Sequence, residues 1–264
     1  MQYMQTATSI SKRRACRLAG ISRSTLDYLP RVNPGDQLLT AKIISLAQER
    51  RRFGYRRIHA LLRREGVSVN HKRVYRLYRL SDLAVRKRKR RKGIMVQREP
   101  LELPVRRNEV WSMDFVMDAL FNGRRIKILA IVDDCTRELV DLVVDFGISG
   151  RYVTRVLDRA ARFRGYPKAI RTDQGPEFTS HVMGQWAYDN GVKLKLIQPG
   201  KPTQNAYIES FNGKFRDECL NEHWFQSIDH ARVIIQDWKT DYNENRPHSM
   251  LGYQTPKEAA SAKA

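Results

Sequence analysis

The sequence predicts an α/β layer built on a mixed five-stranded sheet, preceded by all-α modules of the helix-turn-helix type. Two observations predict this division. The hydrophobic pattern changes from helical spacing to strand-like alternation at about residue 108. Cations also concentrate before that point: residues 1–107 contain 28 basic and 7 acidic residues, whereas residues 108–264 contain 21 of each. The whole net charge of +21 therefore belongs to the N-terminal part.

This uneven charge indicates a polyanion-binding unit beside a balanced second domain. A basic membrane-surface segment is the competing interpretation, but no broad Trp, Phe or Leu face accompanies the charge. No apolar stretch reaches transmembrane length, and the N-terminus has no signal-peptide core. Three widely separated cysteines, Cys16, Cys135 and Cys219, favour a reducing cytoplasm over a disulfide framework.

Residues 11–28 have the pattern of a helix, a tight turn and a second helix. Ser11 and Ser22 are suitable N-caps, Gly20 permits the turn, and Leu18 is expected on the apolar face of the first helix. A DNA-reading unit and a plain helical hairpin both fit this pattern.

A stronger three-helix pattern occupies residues 36–83, with Asn70 as the expected N-cap of the third helix. Three arginines at three-residue spacing, Arg73, Arg76 and Arg79, share the outer face of that helix. Arginine suits phosphate contact and bidentate reading of guanine, so we interpret this face as a DNA contact. A solvated helix face is the alternative.

Seven consecutive cations follow the three-helix unit. Their charges repel one another unless phosphates neutralise them, so the run predicts an arm along the DNA backbone that adds affinity but little sequence choice. A nuclear-localisation signal is the alternative. The run consists of Arg86, Lys87, Arg88, Lys89, Arg90, Arg91 and Lys92.

Beyond residue 108 the pattern predicts three consecutive strands, then helix, strand, helix, strand and helix. Asn122 and Gly123 supply the hairpin turn between the first two strands. The helix after the fourth strand is expected to begin near Pro176. The predicted divisions of the chain are a helix-turn-helix-like segment and linker at 1–35, a helical DNA-binding domain at 36–85, a basic linker at 86–107, a catalytic core at 108–225 and a C-terminal helical extension at 226–264.

Three acidic residues stand in different elements of this layer: Asp114 in the first strand, Asp173 at the end of the fourth, and Glu209 in the last helix of the core. Carboxylates brought together repel one another unless a divalent cation binds between them, and a pair of such cations is the apparatus of phosphodiester chemistry. Nearby acids are expected to be loop charges, caps or solvated helix faces. They are Asp133, Asp134, Glu177, Asp217 and Glu218.

The motifs WSMDF, RTDQGPEF and IESFNGKFRDECL, with 35 residues between Asp173 and Glu209, resemble the DDE catalytic core of retroviral integrases. They resemble more closely the second-frame (OrfB) proteins of bacterial insertion-sequence transposases. The segments FGYRRIHALLRREGVSVNHKRVYRLYR and YNENRPHSMLGYQTPKEAA resemble the same group, so the likeness runs from about residue 40 to about residue 260. The zinc-binding domain of retroviral integrases is absent from the sequence, so recognition of element ends is expected to rest on the helical modules.

The resemblance implies an RNase H-like fold in which Asp114, Asp173 and Glu209 bind two Mg²⁺ ions, with Mn²⁺ as a substitute and Asp114 shared by both ions. It implies a transposase that hydrolyses DNA at element ends to expose a 3′-OH. That 3′-OH then joins another strand by direct transesterification. Arg216 lies seven residues after Glu209, two helical turns along the same side, and is expected to hold a DNA phosphate.

The resemblance also implies the partners: double-stranded DNA of element ends and target, and further copies of this chain in the DNA complex. A first-frame protein is a possible partner, either separate or fused by frameshifting. The expected setting is the bacterial cytoplasm, on the nucleoid, with no membrane. A DNA-binding regulator with an inactive nuclease fold is the alternative function, which the presence of all three carboxylates disfavours. An RNase H-type nuclease would leave the arginine-rich front half unexplained.

Overall fold

The computed structural model describes residues 10–28, 34–85, 104–198 and 205–263. The N-terminal helices are α1 Lys12–Leu18, α2 Arg23–Leu26, α3 Gly35–Glu49, α4 Tyr55–Arg64 and α5 His71–Leu80. The strands are β1 Val110–Ala119, β2 Arg125–Asp133, β3 Leu139–Asp145, β4 Ala169–Thr172 and β5 Lys193–Leu196. The remaining helices are α6 Gly150–Arg164, α7 His181–Asp189, α8 Ala206–Glu218, α9 Ile228–Glu244 and α10 Pro256–Ala262.

The first two helices form where their caps predict. The side chains of Ser11 and Ser22 each accept a hydrogen bond from a backbone N–H three residues later. Gly20 adopts a positive φ of 68° in the turn between them. The expectation for Leu18 was wrong, because 64% of this residue is exposed and Ala15 and Cys16 are the buried positions of α1.

Helices α3, α4 and α5 enclose a small core of their own. Ile43, Ile58, Leu62 and Val74 are completely buried within it. The Asn70 side chain caps α5 as predicted, by accepting a hydrogen bond from the Lys72 N–H. The three-helix unit is therefore held together by apolar packing and leaves its many arginines on the surface.

The sheet is mixed and five-stranded, as predicted, with strand order β3-β2-β1-β4-β5. Strand β1 pairs antiparallel with β2 and parallel with β4, and β4 pairs parallel with β5. A hairpin joins β1 to β2, and Gly123 takes a φ of 81° in its turn. The alternation along β1 sends odd-numbered residues such as Trp111 and Met113 to one face and Val116 to the other.

Helices cover both faces of the sheet. Residues of α6 and α7, including Leu157 and Met183, pack against the face that holds Trp111. Residues of α8 and α9, including Phe211 and Ile235, pack against the face that holds Val116. Strand β1 is thus the middle strand of the sheet and is covered by helices on both faces, which gives its residues a defined position.

One predicted boundary was wrong. The helix after β4 begins at His181 instead of Pro176, with the Ser180 side chain as its N-cap. The preceding residues form a turn in which the backbone N–H groups of Phe178 and Thr179 both donate to the Gly175 carbonyl. This local turn provides hydrogen-bond partners for the backbone groups before the helix starts. The composition of the segment is typical of a helix, so it does not reveal the turn.

The helical unit contacts the α/β layer through ion pairs. Arg50, which follows α3, donates from both terminal nitrogens to the Asp241 carboxylate of α9, one of them at 2.6 Å. Arg57 of α4 donates to Glu218 of α8 at 3.1 Å. Within the four described ranges, no helix is both long and apolar enough to cross a bilayer.

Candidate active site

The strand register brings Asp114 and Asp173 to the same edge of the sheet. Ser112 of β1 lies opposite Arg171 of β4 in parallel pairing. Asp114 and Asp173 each stand two residues further along: Asp114 lies in the middle of β1, just past the stretch that pairs with β4, and Asp173 directly follows the end of β4. This edge is where α/β sheets build their sites.

Glu209 approaches from the helix layer. It lies in the first turn of α8, beside a buried stripe formed by Ile208, Phe211 and Phe215. That stripe packs against the sheet face of Val116, which the alternation of β1 also assigns to Asp114. Apolar packing of α8 therefore holds Glu209 at the rim of the same face, where it is exposed.

Electrostatics couple the three acids. Burial raises the pKa of Asp114 to about 6, and the negative charges of Asp173 and Glu209 add to this rise. Hydrogen bonds from the Phe115 N–H and the Asn212 side chain oppose the rise but do not cancel it. Asp114 is thus a carboxylate whose ionisation is costly until a positive charge compensates it.

Asn212 is a site residue that the sequence reasoning missed. Its Nδ2 donates to Oδ2 of Asp114 at 2.7 Å, while its own Oδ1 is buried without a hydrogen-bond partner among the described residues. The spacing contained a usable signal, since Asn212 stands three residues after Glu209 and on the same side of α8.

The loop after β4 fixes Asp173. Its Oδ1 accepts a hydrogen bond from the Gly175 N–H at 3.0 Å. A Cβ added at Gly175 would lie 3.1 Å from that oxygen, so the close approach favours glycine there. Glu177, two residues further, forms an ion pair with Lys127 and is therefore engaged with protein.

The donor set fits a hard divalent cation, because three carboxylates and an unpartnered amide oxygen are ligands of the kind that Mg²⁺ takes. As they stand, no three acidic, histidine or cysteine side chains in the described ranges converge closely enough to hold a metal ion. Asp173 and Glu209 therefore influence Asp114 electrostatically, but the three side chains do not yet surround a single metal position.

The nearby acids match the expected loop charges, caps and solvated helix faces only in part. Asp133 is completely buried and caps a turn by accepting from the N–H groups of Cys135 and Thr136. Asp134, also fully buried, pairs with Arg171 at 2.6 Å, although burial still raises its pKa to about 6. The expectation of a cap is therefore met by Asp133, whereas the expectation was wrong for Asp134, which is a buried partner of Arg171.

Asp217 and Glu218 belong to the contact between the two parts of the chain. Asp217 pairs with Arg52 of the helical unit. Glu218 accepts two hydrogen bonds of 2.6 Å from Arg246, which is only 2% exposed, and one of 3.1 Å from Arg57. The prediction of a solvated face was wrong for Glu218, whose carboxylate lies between two arginines.

The predicted DNA-contact arginines of α5 are not equivalent. Arg73 and Arg76 both form ion pairs with Asp36 of α3, at 2.7 and 2.6 Å. The Arg76 hydrogen bond is the main cause of a lowered pKa at Asp36. Arg79 is exposed and forms no ion pair within the described ranges. The row therefore presents one unpaired and two partly neutralised cations.

The other predicted DNA contacts lie further along the chain. Arg216 is exposed, and its Nη2 donates to the Met117 carbonyl of β1 at 3.0 Å. This bond holds Arg216 against the strand that also bears Asp114. The basic arm predicted at 86–92 falls outside the described residues.

Comparison with known families agrees with the two-part organisation. An HTH-like domain matches residues 34–92, and two integrase core domain families match residues 104–202 and 190–256. The chain is 65% identical over 99% of its length to the 31.7 kDa protein of insertion element IS407 from Burkholderia multivorans, and covers 94% of that protein. It is 27% identical to the transposase for insertion sequence element IS904 from Lactococcus lactis, covering 84% of this chain and 93% of that one.

Among solved structures, the fold is similar to that of a chain in the simian T-cell lymphotropic virus intasome in complex with PP2A regulatory subunit B56 gamma. The TM-score is 0.52 at 16% identity, over 84% of this chain and 74% of that one. The predicted integrase-type fold is thereby confirmed. The chain belongs to the insertion-element transposases, DDE-type enzymes in which an integrase core domain follows an HTH-like domain.

Proposed function

We propose that this transposase cuts DNA at the ends of its own insertion element and joins the exposed strand ends to target DNA, using Asp114, Asp173 and Glu209. The electrostatic coupling of Asp114 to the other two acids is the observation that supports this assignment most directly. A DNA-binding regulator with an inactive nuclease fold remains the alternative, and the presence of all three carboxylates disfavours it.

In this proposal the three carboxylates hold two Mg²⁺ ions. Mn²⁺ ions can take the place of the Mg²⁺ ions. The bound cations would stabilise charge on the attacking and departing oxygens of an in-line displacement. Asn212 orients the Asp114 carboxylate through its 2.7 Å hydrogen bond. The Gly175 N–H orients Asp173 in the same way, at 3.0 Å.

The two reactions are successive displacements at phosphorus. Water first attacks the phosphodiester at the element end, and the bond to the 3′ oxygen breaks to leave a 3′-OH. That 3′-OH then attacks a target phosphodiester, so one P–O bond forms as another breaks and the leaving oxygen takes up a proton. No protein side chain is esterified, because the DNA hydroxyl itself serves as the nucleophile.

Arg79, Arg216 and the 86–92 arm are the cations that we assign to DNA, with Arg73 and Arg76 as weaker contributors because Asp36 neutralises them. Both the element ends and the target are duplex DNA in this scheme. We further propose that several copies of the chain act together on the two element ends. A first-frame partner or a frameshift fusion would supply additional end recognition.

The test exchanges each acid for its amide in the full-length protein. Asp114→Asn, Asp173→Asn and Glu209→Gln should each abolish both end cleavage and strand joining, because one site serves both steps. Asp118→Asn, on the same strand, is the matched control and should stay active. Duplex binding without Mg²⁺ should persist in all four variants. A Glu209→Gln protein that joins ends at the wild-type rate would refute the triad.

A further inference from the structure

A cleft of about 700 Å³ separates the helical unit from α8. We call it the junction cleft. The N-terminal part of the chain supplies Arg52, Arg57 and Val85 to its wall, and α8 supplies the opposite wall. The charged residues that line it are Arg52, Arg57, Lys214, Arg216, Asp217 and Glu218.

The cations of the junction cleft outnumber the acids that neutralise them. Arg52 pairs with Asp217, and Arg57 pairs with Glu218. Lys214 has no ion pair or hydrogen bond within the described ranges. Arg216 likewise has no carboxylate partner there, since it donates to a backbone carbonyl. Two positive charges on one wall of the cleft are therefore left for an external anion.

The protein behind Lys214 adds to this excess. Glu218 is a carboxylate that acts on Lys214, but both of its oxygens are occupied by Arg246 at 2.6 Å, and one of them also by Arg57. Burial, together with the positive charges of Arg246, Arg57 and Arg137, lowers the pKa of Lys214 to about 8, and the negative charge of Glu218 opposes this effect without cancelling it. An anion in the cleft would supply the missing compensation.

The position of the cleft points to the nature of that anion. Lys214 follows Glu209 by five residues on α8, about 7.5 Å along the helix axis, and Ser210 and Gly213 line the wall between them. Val85, which also lines the cleft, directly precedes the basic run at 86–92 in the sequence. The cleft therefore lies beside the helix that bears Glu209, and along the sequence the basic run suited to a DNA backbone directly follows a residue of its other wall.

We propose that the junction cleft binds the phosphodiester backbone of DNA through Lys214 and Arg216, its two lining cations that have no carboxylate partner within the described ranges. The proposal rests on the proposed function in taking DNA as the ligand, and it adds a contact between the two parts of the chain. Lys214 is a positioning residue in this scheme, since it holds the strand that leads to the carboxylates without touching the reacting phosphate.

The test measures DNA binding by the full-length protein without Mg²⁺, so the result does not depend on cleavage. The affinity of the protein for a duplex of about 30 base pairs is measured over a series of salt concentrations. The logarithm of the association constant falls linearly with the logarithm of the salt concentration, and removing one cation from a phosphate should make this slope shallower by about 0.9. We expect Lys214→Gln to reduce the steepness by about that amount, and Lys214→Arg to restore it. Lys168→Gln changes an exposed lysine at the amino end of β4, outside the cleft; it is the matched control and should leave the slope unchanged.

Two duplexes distinguish the sources of the phosphate: one carries the element's own terminal sequence, and the other is random. An effect on the terminal duplex alone assigns the cleft to the element end, and an equal effect on both assigns it to general backbone contact. Lys214→Met, which retains the packing of the stem, replaces the glutamine variant if that one melts early. An unchanged slope in a folded Lys214→Gln or Lys214→Met protein would overturn the proposal.

Discussion

Asn212 donates a hydrogen bond from Nδ2 to Oδ2 of Asp114 over 2.7 Å. The bond joins the helix that carries Glu209 to the strand that carries Asp114, so it couples the position of two of the three acids. It also stabilises the charged form of Asp114 against the effects of burial and of the neighbouring carboxylates.

Replacing Asn212 should therefore change both the ionisation of Asp114 and the rate of DNA cleavage. We expect Asn212→Leu to raise the pKa of Asp114 above about 6, because the variant loses a donor to the ionised carboxylate. Cleavage should fall about 10- to 100-fold, the usual effect of removing a residue that orients a metal ligand. NMR titration of the metal-free protein measures the first effect, and Gln236→Ala on the surface of α9 is the control. An unchanged Asp114 pKa would contradict the assigned role.

The raised pKa of Asp114 also predicts a pH-dependent stability. Its folded-state value of about 6 exceeds the ordinary 3.8, so the folded protein binds this proton more readily than the unfolded chain does. The ionised carboxylate therefore destabilises the fold above about pH 6, and the effect disappears as the pH falls below the unfolded-state value.

Asp114→Asn should accordingly raise the free energy of unfolding at about pH 8, by about 1–2 kcal/mol after allowance for solvent screening. At about pH 4 the Asp114 carboxyl group of the folded wild type is protonated, so this difference in unfolding free energy between the variant and the wild type should disappear. Urea unfolding in the presence of a chelator measures the difference, with Asp118→Asn as control. A variant less stable than wild type at the higher pH would count against the coupling of the three acids.

The Arg246–Glu218 pair should be essential to the junction between α8 and the C-terminal extension. Glu218→Gln removes the carboxylate that is hydrogen-bonded to the buried Arg246 and to Arg57, so we expect a loss of about 3–5 kcal/mol in unfolding free energy. Lys257→Met breaks an exposed pair with Glu244 and should cost less than about 1 kcal/mol. Equal effects of the two substitutions in chemical denaturation would show that Glu218 is better solvated than its contacts indicate.

The arginines of α5 should differ in their contributions to DNA binding. Arg79→Ala removes an unpaired exposed cation, so it should weaken binding to element-end DNA more than Arg73→Ala does. Asp36→Asn should strengthen DNA binding, because it releases Arg73 and Arg76 from their ion pairs. Competition between element-end and random duplexes measures both affinity and discrimination. Equal losses for Arg79→Ala and Arg73→Ala, on both duplexes, would argue against α5 as the reading helix.

Local patterns in the sequence were enough to predict much of the fold. The alternation of Trp111 and Met113 with Ser112 and Asp114 determines which residues of β1 face each layer, because a strand has a side-chain period of two. Caps such as Asn70 and turns such as Gly123 act through neighbouring backbone groups, so they too were visible in the sequence. The boundary at His181 was missed because the turn before it closes through backbone hydrogen bonds that composition does not reveal.

Only the tertiary structure decided the partners of individual charges. Asp36 and Arg73 are far apart in sequence, as are Arg57 and Glu218, and each pair forms because helix packing brings the side chains together. The same applies to Asn212, whose role depends on α8 lying across β1. Periodicity is a local property that a single segment encodes, whereas the neutralisation of a charge depends on every element that packs around it.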